Sequence, residues 1–158
     1  MTRTNRVFRP LMALLIVLLS LSLMGANPYQ EGDHTGPHIL ATVLTGGAEA
    51  PGPGDPDGRG LAIITLKPDH QVCWLIVVGK IVLPAAAAHI HVGVKGAPGP
   101  VVVPLSAPNA KGVSSGCAVV DHALHMNLHE HPEQYYVNVH NSVYPAGAVR
   151  GQLFLVQH

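Results

Sequence analysis

The sequence predicts an all-β domain, a Greek-key antiparallel sandwich or barrel of about eight strands with one short helix. Two observations lead there. The apolar runs are short, rich in β-branched residues and punctuated by Gly and Pro, of which the chain has 17 and 14 among 158 residues. Only one segment carries helical spacing of its apolar residues.

In chain order, the first strand-like run is Ile39 to Leu44. The Gly- and Pro-rich stretch from Gly46 to Gly60 that follows can only be a long loop. Leu61 to Leu66 and Val72 to Val78 are separated by Lys67, Pro68, Asp69 and His70, a hairpin spacing. A His-Ile-His segment at 89–91, then Val101 to Leu105, Tyr135 to His140 and Ala148 to Val156 complete the strands. The exception is Asp121 to about Glu130, where Asp121 can cap a helix whose Leu124 and Leu128, four apart, share one face.

Ahead of this domain, Arg3, Arg6 and Arg9 precede an uncharged apolar run from Leu11 to Leu23, the layout of a secretory signal. The expected organisation is a signal over 1–26, cut near Gly25 and Ala26, a flexible leader over 27–38, and a β domain over 39–158. Export to the periplasm, cell surface or medium follows, with membrane attachment only if the signal stays uncleaved. The signal takes three of nine basic residues and none of nine acidic ones, leaving a net charge of −3. That balance, with no basic stripe, argues against phosphate-rich partners and nucleic acid. In an exported chain Cys73 and Cys117 most simply form one disulfide, the alternative being a buried pair of free thiols. The loop closed would stabilise the fold by roughly 4 kcal/mol on chain-entropy grounds.

The chemistry lies in the 11 histidines. Side chains two apart on a strand share a face, so His89 and His91 point together while Ile90, Val92 and Val94 point the other way. Tyr135, Val137 and Val139 alternate in the same manner with Tyr136, Asn138 and His140. If the two strands lie side by side, His89, His91 and His140 converge outside the core. Neutral imidazole suits copper and zinc. The alternative is three polar residues on the wet face of half-buried strands.

At these residues the chain resembles the CHRD domain, a family named from chordin and found in many exported bacterial proteins. The resemblance rests on Ala88-His89-Ile90-His91, Gly99-Pro100-Val101-Val102-Val103, Gly116-Cys117, Tyr135-Tyr136-Val137-Asn138-Val139-His140 and the segment Pro145 to Leu153. It extends from about Ile39 to Val156. A more distant similarity is to copper/zinc superoxide dismutase, in the order of a hairpin region, a His-X-His strand, a later lone histidine and an arginine near the C-terminal strand. That similarity implies a superoxide dismutase-like Greek-key barrel, copper held by His89, His91 and His140, and Arg150 as the catalytic group that draws in a small anion, superoxide. Between Val92 and Gly116 there is no His, Asp, Glu or Cys. The bridging histidine and zinc loop of that family are therefore missing, which leaves a mononuclear copper site and makes zinc the less favoured metal.

Arg150 has a second reading, fixing a turn by donating to backbone carbonyls. Asn138 and Gln152 are candidates to orient a ligand imidazole. His122, His125 and His129 form a secondary candidate group, within about 60° of one another on the helix and opposite Leu124 and Leu128. Their alternative is a solvated polar face, with His131 just beyond. His34 and His38 in the leader are weaker candidates, and Trp74, Tyr135 and Tyr136 read as core or rim aromatics. The function expected is an exported copper-binding domain, either a copper-only superoxide dismutase or a module that captures copper without turnover. A structural or adhesive module is the third reading. No hydrolase triad or phosphate-cradling loop is present in the sequence, and oligomeric state is not legible.

Overall fold

The computed structural model describes residues 36–157; the expected signal over 1–26, and the leader with His34 up to residue 35, lie outside them. The strands are β1 (His38–Thr45), β2 (Arg59–Lys67), β3 (Gln71–Gly79), β4 (Ala87–Val92), β5 (Val101–Leu105), β6 (Val113–Val119), β7 (Tyr135–His140), β8 (Val149–Gln152) and β9 (Phe154–Gln157). Among the described residues a single α-helix, α1 (His122–Glu130), joins β6 to β7 by way of a short 3-10 turn. Every pairing is antiparallel, in the order β5-β4-β7-β8-β1-β2-β3-β6, with β9 added to β1. Because the neighbours β4–β7, β8–β1 and β3–β6 are distant in sequence, the path is of the Greek-key kind, rolled into a nearly closed barrel. The all-β expectation is met.

Alternation fixes which face is which. Leu40 and Leu44 of β1, Ile64 and Leu66 of β2, Val72 and Ile76 of β3, Ile90 of β4 and Val137 and Val139 of β7 are all buried in the barrel interior. Each strand sends its intervening residues outward. The run expected as one strand from Ala148 to Val156 is two. It breaks at Leu153, a buried residue whose N–H donates to the Tyr135 carbonyl, so that β8 pairs with β7 while β9 crosses to β1.

The Asp121 carboxylate accepts from the Leu124 N–H at 2.8 Å, capping α1, and Leu128 is fully buried against the core. Strand β6 has no counterpart in the sequence expectation. Its centre, Ser114-Ser115-Gly116, lacks β-branched residues, yet Gly116 lies opposite Trp74, whose indole occupies the space a Cβ would need. The same pairing sets Cys73 opposite Cys117, and the two form a disulfide. Among the described residues no helix is long and apolar enough to cross a membrane.

Candidate metal centre

The site starts from one register. Strands β4 and β7 are neighbours, with His89 opposite Asn138, His91 opposite Tyr136 and Ala87 opposite His140. Ala88 and Ile90 point inward and are fully buried, so His89 and His91 stand on the outer face. There they meet His140 diagonally across β7. The three imidazoles each offer one nitrogen, and those atoms lie within 4.8 Å of one another. Ring centroids are 5.4 Å apart for His89 and His91, 5.0 Å for His89 and His140, and 6.5 Å for His91 and His140. Three imidazoles bound to one tetrahedral ion at ~2.0–2.1 Å would have centroids ~5 Å apart, so a small contraction closes the set.

The hydrogen bonds decide which nitrogens face inward. His91 Nδ1 donates to the Gly99 carbonyl at 2.8 Å, and His140 Nδ1 donates to the Pro145 carbonyl at 3.0 Å. Carbonyls only accept, so both rings carry their proton on Nδ1 and present an Nε2 lone pair. His140 Nε2 receives a 3.1 Å hydrogen bond from His89 Nδ1. His91 Nε2 is buried and has no hydrogen-bond partner. A backbone carbonyl on the far nitrogen is the usual means of fixing the orientation of a ligand imidazole. Burial, and then the charges of His140 and His91, hold His89 below its ordinary pKa; burial foremost, and then His91, hold His140 low as well, against the Pro145 carbonyl. Both are thus neutral near pH 7, the state a metal requires.

The surroundings are more constructed than the sequence indicated. Tyr136 stacks on His91 with ring centroids 4.7 Å apart and planes 5° from parallel. The Arg150 guanidinium lies 3.4 Å from the Tyr136 centroid. Since β7 separates β4 from β8, the tyrosine ring is sandwiched between imidazole and guanidinium. Arg150 is 1 % exposed and one of its terminal nitrogens donates to the Val94 and Ala97 carbonyls at 3.0 and 2.9 Å. The two N–H donors of Gln152 Nε2 are shared among the Gly93, Glu133 and Tyr135 carbonyls. The segment from Gly93 to Pro100 is therefore strapped across the outer face, and Gly99 is its pivot. Gly99 N–H donates to the Tyr136 hydroxyl while its carbonyl holds His91, and a Cβ there would collide with the Val92 carbonyl oxygen.

Asn138 is buried between His89 and Arg150 in register, with its Oδ1 unpartnered. Neither it nor Gln152 makes a hydrogen bond to the three imidazoles, and Arg150 is engaged by the strap.

A family model described as CHRD domain matches residues 40–153. The chain belongs to the CHRD domain family. No curated protein matches the chain. The matched span runs from β1 to Leu153 and contains both site strands, so the histidine cluster and its strap belong to the body of this CHRD domain.

The secondary histidine group is divided. His122 Nδ1 lies 3.0 Å from Nε2 of His70, a residue of the β2–β3 turn, and the His70 ring is also 5.7 Å from that of His125. His129 instead lies against His38 of β1, ring centroids 3.9 Å apart and planes tilted by 45°. Helical spacing alone could not reveal this, because the partners come from strands. Glu49 is a further residue that nothing in its sequence context singles out. Its carboxylate packs against Gly147, where a Cβ would strike it, and burial pushes its pKa up to about 7 despite the pull of Arg150.

Proposed function

We propose that this CHRD domain is exported and binds one copper ion through His89, His91 and His140. The observation that carries the reading is His91 Nε2: a buried, unpartnered lone pair beside two further imidazole nitrogens, on a ring whose other nitrogen is held by a carbonyl. A buried polar atom without a partner is costly, and an ion that accepts its lone pair removes that cost. All-nitrogen donors of borderline softness favour copper over magnesium or calcium, and copper over zinc by affinity. Bound there, copper would supply a redox-active centre with room for a small ligand. His91 and His140 would hold it through Nε2. His89 would do so through Nδ1, its proton moving to the opposite nitrogen. The disulfide accords with an oxidising compartment.

Capture without turnover is the favoured form of this reading. A dismutase needs a cation that draws superoxide to the metal, and Arg150 is buried and donates to the strap carbonyls. The test uses untagged protein loaded with copper and desalted, compared with His140→Ala. Loss of one copper per chain in the variant supports the proposal; unchanged copper content overturns it. Superoxide decay measured on the same samples separates the two forms, since catalysis lost with His140→Ala would favour the dismutase.

A further inference from the structure

A second set of imidazoles lies apart from the strapped site and shares no residue with it. It is assembled from the β2–β3 turn and the start of α1. Asp69 and His70 adopt left-handed backbone conformations, φ 59° and 58°, which turn the chain tightly and present the His70 ring to the helix. Asp and His are among the few residues with a side chain that occupy that region with any frequency. His122 and His125, three apart, are on neighbouring positions of one helix face. The His70 and His122 rings are 5.0 Å apart, and those of His70 and His125 5.7 Å, with both pairs near edge-on at 67° and 68°.

We infer that His70, His122 and His125 form a second binding site for a divalent transition-metal ion of the kind that prefers imidazole. The 3.0 Å contact between His70 Nε2 and His122 Nδ1 is a hydrogen bond in which one imidazole donates and the other accepts. Two nitrogens on one ion lie ~2.8 Å apart in a square-planar arrangement and ~3.4 Å apart in a tetrahedral one, given bonds of ~2.0–2.1 Å. The spacing found falls between these, so the pair takes an ion once both rings turn to aim their lone pairs at a point beside the hydrogen-bond axis. His125 Nε2 donates to the Lys67 carbonyl at 3.0 Å, which leaves its Nδ1 lone pair for the ion and fixes its ring as Gly99 and Pro145 fix theirs in the first site. The set is more open than the first. His122 is exposed and His70 only half-buried, so both rotate toward His125 without disturbing the core. His129 is not counted in it, its ring being in close, tilted contact with that of His38. The ion would tie α1 to the β2–β3 turn more firmly than the His70–His122 contact and the His125 bond to Lys67 do.

The test is copper content per chain after loading untagged protein with copper(II) and desalting, for the wild type, His122→Ala, His70→Asn, His125→Gln and His140→Ala. Asn suits the left-handed backbone at 70, Ala the first helical turn at 122, and Gln can retain the bond to Lys67, so these variants fold. Two copper ions in the wild type and one in each of the three second-site variants are expected, with copper-dependent thermal stabilisation reduced in them. Two ions undiminished in all three overturn the inference. So does a wild-type value of one that only His140→Ala removes, which leaves the strapped site standing. A wild-type value of one that His140→Ala leaves and His122→Ala removes supports this site and overturns the other.

Discussion

At the scale of single residues, Arg150 decides how the site is held. Its planar fork places one nitrogen between two carbonyls while its face covers Tyr136. Lysine keeps the charge but loses the fork and the stacking surface. Arg150→Lys is expected to destabilise the domain by about 2–3 kcal/mol, from weakened charge-assisted bonds and lost stacking, as chemical denaturation would measure. Copper content should stay unchanged at neutral pH. Glu49 makes a prediction of opposite character. Its folded pKa of about 7 lies above the ordinary carboxylate value, so the unfolded chain releases the proton first as pH rises. The stability it permits is full at pH 4 and declines until the pH passes about 7. Glu49→Gln should therefore be more stabilising relative to wild type at pH 8 than at pH 5, and equal differences at the two pH values would refute the assignment. Strand alternation alone was enough to turn His89, His91 and His140 away from the core, whereas the pairing of β4 with β7 that brings them together had to come from the fold. Glu49 was not legible, because its burial depends on a loop folding against Gly147, nearly a hundred residues away in sequence.

At the scale of elements, the segment between β4 and β5 carries the site as much as the strands do. Gly99 connects it to both Tyr136 and His91, and no side chain fits beside the Val92 carbonyl. Gly99→Ala should displace the strap, free His91 from its carbonyl and weaken copper binding by about 10- to 100-fold, the usual effect of losing a group that orients a ligand. A copper titration of the variant checks this, with circular dichroism to confirm that the strands persist. The strands with β-branched alternation were readable in advance, as was α1 from Asp121 and its two leucines. Strand β6 was not, since its glycine and serines look like loop until Trp74 is seen to fill the space over Gly116. The strap was equally invisible. Its residues are Gly, Pro and Ala among few others, and their order comes from Arg150 and Gln152 donating across the sheet.

For the whole molecule, the proposed site would set proton and metal in competition for the same nitrogens. His89 and His140 lie below the ordinary imidazole pKa, so in the metal-free domain the unfolded chain takes up protons first as pH falls. Stability from these two groups is full above about pH 6.5 and is lost as pH drops through their lowered values. Copper retention should follow the same direction, flat above about pH 6.5 and falling below it, because each ligand must be unprotonated. Dialysis at a series of pH values followed by copper analysis measures the curve, and retention independent of pH down to 4 would exclude imidazole ligands. The Greek-key barrel supplies what this requires, a rigid pair of neighbouring strands that holds three rings in place before any ion arrives.

The central claim is that His89, His91 and His140 together hold one copper ion. Anomalous diffraction at the copper edge from crystals of the copper-loaded domain tests it most directly. The account predicts a peak bonded at ~2.0–2.1 Å to His91 Nε2, His140 Nε2 and His89 Nδ1, the ordinary metal–imidazole distance. Copper density elsewhere on the domain, with none among these three rings, would contradict it.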